Sequence, residues 1–84
     1  MKKYYQLRMY LYEARQAKNY SMRKVANEAL ISYQHYCNLE TGKRGGKVSF
    51  LILYRISKVL DLDIDYVYEK EKEYQEVNNG KEFY

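Results

Sequence analysis

The chain has 84 residues, which is enough for one small domain with a single core. With no proline or tryptophan, four glycines and twelve tyrosines, its composition favours helices with short connections over a strand-rich fold. The single cysteine excludes a disulfide within the chain, and no apolar run is long enough to span a membrane. Since no signal-peptide pattern opens the chain, we expect a soluble cytoplasmic protein.

The net charge of +4 is distributed unevenly along the chain. Residues 1–60 hold 12 basic and 3 acidic residues, a balance of +9, whereas residues 61–84 hold 3 basic and 8 acidic residues, a balance of −5. A basic body suggests a polyanionic partner, most simply a nucleic acid. Many basic domains bind no nucleic acid, so charge alone is weak evidence. It supports nucleic-acid binding here because the basic part of the chain contains the predicted pair of helices described below.

Residues 4–18 predict a first amphipathic helix with Leu7, Leu11, Ala14 and Arg15 on one face. An arginine on an apolar face is unusual, because an unpaired buried charge is very costly. Two explanations are open. Arg15 pairs with a carboxylate inside the fold, or it lies at the edge of the face and reaches solvent.

The stretch from Ser21 to Gly42 predicts two short helices separated by a tight turn. Ser21 and Ser32 are good N-caps, because a serine hydroxyl accepts a hydrogen bond from a backbone N–H of the first turn. Tyr36 and Leu39 give the second helix its apolar side, and Gly42 is typical of a helix end. Helices of about ten residues are not stable alone in water, so the flanking segments must pack on them.

Three more segments follow. Residues 43–48, KRGGKV, predict a mobile basic loop, and Ser49 caps a fourth helix with apolar positions spaced by three and four residues. A fifth helix begins at Asp63, where acids suit the helix dipole. Its apolar side is formed by Ile64, Val67 and Tyr68.

The last 16 residues, 69–84, are highly charged, and we predict a helix extension that frays to a disordered end near Asn78-Asn79-Gly80. The predicted organisation is therefore one domain over residues 1–68 and a charged tail over residues 69–84. The tail has three possible roles: a solvated end, a surface for a protein partner, or a dimer contact. The dimer contact would involve Val67, Tyr68, Tyr74 and Val77.

The chain resembles the phage-repressor/Cro (XRE) family in an ordered set of residues: Arg15, Ser21, Val25, Ala26, Ile31, Ser32, Tyr36, Leu39, Glu40, Gly42 and Ser49. The resemblance covers about residues 4–68. It implies an all-α fold, a compact five-helix bundle with a helix-turn-helix of the lambda-repressor-like DNA-binding domain. It also implies sequence-specific binding to double-stranded operator DNA, usually as a homodimer, and control of transcription.

The resemblance also implies individual roles. Residues matching positions that face base edges in the major groove are Tyr33, Gln34 and Asn38. Residues beside them that could contact the DNA backbone or sugar are Ser32, His35 and Cys37. Arg15 and Glu40 match a buried salt bridge between the first and third helices, which favours the paired explanation for Arg15.

Basic residues flank the predicted recognition helix and would neutralise phosphates. These are Arg23, Lys24, Lys43, Arg44 and Lys47, with Lys18 near them. Gln34 and Asn38 are four residues apart, so they share a helical face, and either amide can pair with adenine N6 and N7. The alternative is that they are solvated polar residues on a surface helix; their place beside a basic loop favours base recognition.

Three positions depart from the family pattern. Met22 stands where a phosphate-binding glutamine is common, and Gly45 with Gly46 lengthens the loop before the fourth helix. Leu30 stands where the turn usually has glycine. A leucine is strained in the left-handed conformation, so we expect a wider or differently shaped turn.

No constellation for catalysis or metal binding is apparent. His35 and Cys37 are two apart and would point about 200° from each other on a helix, and the chain has no other histidine or cysteine. We therefore expect no metal, no cofactor and no enzymatic activity. The predicted function is a Cro-like DNA-binding transcriptional regulator, expected to be a repressor. The alternative is an antitoxin or protein-interaction module that uses the same fold on a protein partner.

Overall fold

The computed structural model describes residues 6–43 and 48–79, in which the chain forms five α-helices. They are α1 (Met9–Ala17), α2 (Met22–Glu28), α3 (Tyr33–Thr41), α4 (Phe50–Val59) and α5 (Ile64–Asn79). No strand occurs in these ranges, and the predicted all-α class is confirmed. None of the helices in the described ranges has the length and apolar character needed to cross a membrane.

The predicted caps set the limits of the helices. The hydroxyls of Ser21, Ser32 and Ser49 each accept a hydrogen bond from the backbone N–H three residues later, at 3.0, 3.0 and 3.4 Å. Gly42 ends α3 in the left-handed conformation, with φ of 87°, where the absence of a Cβ removes the steric cost. The caps were therefore predicted correctly from local sequence.

All five helices contribute to one core. Leu11 of α1, Val25 of α2, Tyr36 of α3 and Ile56 of α4 are fully buried, and Val67 of α5 is 1% exposed. Since Tyr36 and Leu39 hold one side of α3 against this core, the opposite side of α3 faces solvent.

The first helix is shorter than its periodicity predicts. α1 begins at Met9, whereas the prediction over residues 4–18 placed Leu7 on its apolar face; Leu7 precedes the helix and is 36% exposed. The cause lies at Arg8, whose non-helical backbone donates its N–H to the Glu40 carbonyl at 2.9 Å. That bond keeps Arg8 outside the helix, and Tyr10 enters the core in place of Leu7. Residues 4 and 5 lie outside the described residues.

The fifth helix continues through the predicted tail as far as Asn79 and is anchored near its end. Asn78 is helical and 9% exposed, and its Oδ1 atom accepts from Gln6 N–H at 3.0 Å, so this residue is held in place. The Tyr74 hydroxyl donates to the Gln6 carbonyl at 2.6 Å. The predicted division at residue 68 thus falls inside one continuous helix, and residues from 80 onward lie outside the described part of the chain.

The predicted apolar side of α5 needs correction at Tyr68, which is 62% exposed while Val67 next to it is buried. Adjacent residues lie about 100° apart on a helix, so only one of the two can face the core. Of the predicted dimer contacts, Val67 and Tyr74 are buried within the protomer and are unavailable to a second copy; Tyr68 and Val77 are exposed.

The turn between α2 and α3 is tight, contrary to the wider turn predicted from Leu30. Leu30 itself adopts the left-handed conformation, with φ of 63°, and its side chain is 73% exposed. Its neighbours Ala29 and Ile31 both pack on the core, so the chain between them has little freedom. The packing of both helices on the core therefore outweighs the strain of a leucine in the left-handed conformation.

A buried ion pair joins α1 to α3. The Nε and Nη2 atoms of Arg15 donate to the two carboxylate oxygens of Glu40, each at 2.8 Å. Glu40 is fully buried, and its carboxylate also accepts from the Tyr36 hydroxyl at 2.7 Å. Burial and then the Glu40 carboxylate raise the pKa of Tyr36, which keeps this hydroxyl protonated as a donor. Of the two explanations for Arg15, the paired one is correct.

Replacing Glu40 with alanine should lower the free energy of unfolding by about 3–5 kcal/mol, because it leaves Arg15 buried without its partner. Urea denaturation followed by circular dichroism measures this loss. Glu28→Ala is the matched control, since its pair with Lys24 is exposed and should contribute little. A loss below about half a kcal/mol for Glu40→Ala would contradict the buried pair.

Replacing Leu30 with glycine should raise the free energy of unfolding by about 1 kcal/mol. Removing the Cβ relieves the left-handed strain, and the exposed side chain has little packing to lose. Gln16→Gly, on the exposed side of α1, is the control and should have the opposite sign, since glycine weakens a helix. If both variants were destabilised equally, the Leu30 backbone would carry no strain.

Candidate nucleic-acid interface

The solvent-facing side of α3 carries the polar residues predicted to contact bases. Tyr33 is 41% exposed, Gln34 is exposed and Asn38 is half-buried. Gln34 Nε2 donates to Asn38 Oδ1 at 3.0 Å, so the two amides form a connected pair. The amide N–H groups of Asn38 and the Gln34 carbonyl oxygen remain as donors and acceptor for a ligand. The structure thus brings together two of the three residues assigned to base recognition.

An aromatic ring and a cation form the edge of this surface. The Arg23 guanidinium carbon lies 4.2 Å from the centre of the Tyr33 ring, a cation–π contact that joins the start of α2 to the start of α3. The neighbouring Cys37 thiol raises the pKa of Tyr33. Arg23 thereby presents its charge beside the solvent-facing side of α3.

Cys37 and His35 occupy more enclosed positions than predicted. Cys37 is half-buried and its Sγ atom lies 3.3 Å from Met22 Sδ, between α2 and α3. Met22 therefore packs against α3 at the position where the family often has a phosphate-binding glutamine. His35 is half-buried, and its Nε2 atom is buried with no hydrogen-bond partner among the described residues. Ser32 has its hydroxyl engaged as the cap of α3.

The predicted phosphate contacts divide into three groups. Arg23 and Lys43 are exposed, and Lys24 is exposed with its Nζ atom 2.7 Å from Glu28 Oε2. Lys18, predicted to lie near them, has its Nζ atom 2.7 Å from Asp61 Oδ2 in an ion pair. Its charge is directed to the turn before α5, which local sequence does not reveal. The remaining two predicted residues, Arg44 and Lys47, lie outside the described residues.

In the part of the chain that the structure describes, no three histidine, cysteine or acidic side chains lie close enough together to hold a metal ion.

Sequence reasoning missed Arg8, which directly precedes α1 in the chain. Its side chain is fully buried and lies against the C-terminal end of α3. Its Nε and Nη2 atoms donate to the two oxygens of Glu71 at 2.9 and 2.8 Å, and its Nη1 atom donates to the Leu39 carbonyl at 2.8 Å. A signal was available on α5. Val67, Glu71, Tyr74 and Asn78 recur at intervals of four, three and four residues, which places an acid on the buried side of that helix.

The Glu71 carboxylate is enclosed by donors. Besides Arg8, it accepts from the Tyr10 hydroxyl and from Gln75 Nε2, each at 2.7 Å. Burial by itself would raise the pKa of Glu71, but the bonds from Arg8, Gln75 and Tyr10 outweigh burial and hold the pKa below its ordinary value. Burial, and next the charge of Glu71, raise the pKa of Tyr10. Glu71 is therefore an ionised acceptor at neutral pH.

A family model described as helix-turn-helix matches residues 11–67, which is 57 of the 84 residues. The matched segment contains α2, α3 and α4 entirely, together with the Arg15–Glu40 pair. Arg8 and Glu71 fall just outside it on either side. Comparisons with curated proteins and with solved structures gave no match.

The bonds of Glu71 predict a specific acid sensitivity. Because its folded-state pKa is lowered, its stabilising contribution is complete above the ordinary glutamate pKa of about 4.3 and is lost as the pH falls towards the folded-state value. We expect wild type to be more stable than Glu71→Gln at pH 7, and this difference to shrink as the pH falls below about 5. Urea denaturation of both proteins at successive pH values measures it.

Glu73→Gln serves as the control for this acid sensitivity, since Glu73 lies on the exposed side of α5 and the substitution removes the same charge. Its difference from wild type should be small throughout. A difference for Glu71→Gln that grew on acidification would show that the Glu71 pKa is raised.

Proposed function

We propose that this chain, which belongs to the XRE-type helix-turn-helix family, binds operator DNA through α3 and represses transcription. Membership of this family makes it a DNA-binding regulator. The observation that supports the operator proposal is the Gln34–Asn38 amide pair, held at 3.0 Å on the solvent-facing side of the helix-turn-helix's second helix. We propose no catalytic role for it.

The amide pair suits base recognition in the major groove. Glutamine and asparagine side chains combine a donor and an acceptor, the pattern that adenine N6 and N7 require. Because each amide orients the other, the pair is partly preorganised before DNA arrives, which lowers the entropy lost on binding. Tyr33, next to the pair, would contact a phosphate oxygen or a thymine methyl group. We propose that these three residues specify the operator.

Phosphate contacts would set the position of α3. Arg23, Lys24 and Lys43 are exposed near α2 and the end of α3, and the backbone N–H groups at the start of α2 add neutral donors. We propose the same role for Arg44 and Lys47. Such contacts release counterions, so the affinity should fall steeply with salt concentration while the preferred DNA sequence stays unchanged.

We propose that two copies bind the operator together. A two-fold dimer places its recognition helices one turn of DNA apart, about 34 Å, on one side of the duplex. The described residues offer an exposed apolar surface on α4 and α5 for such contact, which consists of Phe50, Leu51, Tyr54 and Tyr68, with exposures between 38% and 71%. Patches of this kind mark interaction sites.

A protein partner is the alternative, and a groove beside α5 favours it. The groove has a volume of about 280 Å³ and runs along α5, between this helix and the start of α1 with the residues just before it. Exposed Leu7, Met9, Tyr66 and Val77 line it, mixed with charged residues. An antitoxin or an interaction module would use this groove on its partner and would not depend on the amide pair.

The test is a binding selection from randomised duplex DNA at near-physiological salt, with wild type and with the Gln34→Ala, Asn38→Ala double variant. We expect wild type to enrich a motif with two related halves, and the double variant to lose this enrichment while retaining salt-dependent binding, because its phosphate contacts remain. Gln16→Ala, on α1, removes an exposed amide elsewhere and should enrich the wild-type motif.

Other outcomes of the selection contradict parts of the proposal. An unchanged motif from the double variant would show that other residues recognise the bases. A single half-site would contradict the homodimer, and binding without enrichment would indicate a non-specific architectural role. No binding by wild type even at low salt would reject the DNA proposal in favour of a protein partner at the α5 groove.

A further inference from the structure

We propose that Glu71 is a positioning residue for DNA recognition, because through Arg8 it holds the C-terminal end of α3 in place. The inference rests on the proposed function, since it assigns to α5 a part in the same readout. Glu71 would contact no DNA, and its effect would pass through two side-chain steps, from Glu71 to Arg8 and from Arg8 to the last turn of α3.

The last turn of α3 needs donors from elsewhere in the chain. The final carbonyl groups of any helix lack partners within that helix, and a positive charge near them is favourable. Arg8 supplies two such donors. Its side-chain Nη1 atom reaches the Leu39 carbonyl at 2.8 Å, and its backbone N–H reaches the Glu40 carbonyl at 2.9 Å.

Glu71 determines how the Arg8 side chain is aimed. A guanidinium is planar and its donors keep fixed directions. The two bonds from Nε and Nη2 to Glu71 fix that plane, and the Nη1 donor then points at Leu39. The Tyr74 ring, 4.3 Å from the guanidinium carbon, covers the plane. Without the carboxylate, a fully buried cation would shift towards water and take the third bond with it.

The held end of α3 is close to the base-recognition residues. Asn38 directly precedes Leu39, the residue whose carbonyl Arg8 holds, and Asn38 is bonded to Gln34 one turn earlier. Recognition constellations work only within about half an ångström of their productive geometry. A small shift at Leu39 would therefore reach both amides.

The Arg8–Glu71 pair lies outside the residues that match the family model, so it is an attachment of α3 additional to those within the matched fold. The Arg15–Glu40 pair, which joins α3 to α1, lies inside the matched residues 11–67, whereas Arg8 and Glu71 both lie outside them. α3 is thus held from two directions. One attachment belongs to the helix-turn-helix core, and the other connects α3 to the middle of α5.

The test separates positioning from simple stabilisation. Wild type, Glu71→Gln and the matched control Glu73→Gln are compared in a buffer without urea. The temperature is chosen so that circular dichroism shows all three proteins to be folded. The probes are the duplex selected by wild type and a shuffled duplex of the same composition. The two variants remove the same charge from the same helix, so any general change in attraction to DNA is equal in both.

We expect Glu71→Gln to lower the ratio of selected to shuffled affinity about tenfold, with shuffled binding unchanged, and Glu73→Gln to keep the wild-type ratio. Amide hydrogen exchange should quicken at residues 39–42 in Glu71→Gln and stay as in wild type at Val25 and Ala26. If Glu71→Gln does not fold, Arg8→Lys takes its place, because lysine keeps the charge but loses the planar fork.

An unchanged affinity ratio in a folded Glu71→Gln or Arg8→Lys protein would overturn the inference and leave the pair a purely stabilising one. Equal losses in Glu71→Gln and Glu73→Gln would also overturn it, since charge alone would then explain both. Absence of DNA binding by wild type is a separate result: it overturns the proposed function, and hydrogen exchange at residues 39–42 then still reports whether Glu71 holds α3.

Discussion

The carboxylate of Glu40 is the point on which the position of α3 depends. Glu40 is fully buried, and its carboxylate accepts hydrogen bonds from Arg15 of α1 and from the Tyr36 hydroxyl of α3. The backbone carbonyl of Glu40 accepts a further hydrogen bond from the Arg8 N–H. α2 and α3 have seven and nine residues, too few to be stable alone. Apolar contacts are not directional, so they bring these helices together without fixing their rotation; the charged bonds are directional and do fix it.

Features encoded in a few adjacent residues were predictable, and those decided by distant contacts were not. Ser21, Ser32 and Gly42 act within one helical turn, so their roles follow from local chemistry alone. The start of α1 depends on a backbone bond to Glu40, 32 residues away, and the burial of Arg8 depends on Glu71, 63 residues away. Counting apolar spacing treats a charged residue as a surface residue, and it fails where the charge is neutralised inside the fold.

The same distinction applies to the candidate interface. That Gln34 and Asn38 share an exposed side follows from their spacing, because the buried positions of α3 fall opposite them. Where Lys18 and Cys37 point depends on distant partners, Asp61 in the turn before α5 and Met22 in α2, and spacing carries no information on these. The roles of individual residues on DNA remain predictions, since they depend on a molecule outside the chain.

The hydrogen bond between Gln34 and Asn38 also bears on how an operator would be described. Two side chains that share a bond do not meet neighbouring base pairs independently, because a change in the geometry of one amide alters the donor or acceptor that the other presents. The penalties for two adjacent base substitutions should then not add. A table of separate preferences for each position, the usual summary of a binding site, would misjudge this protein's ranking of DNA sequences wherever both neighbours change. The unit of recognition would be the dinucleotide step.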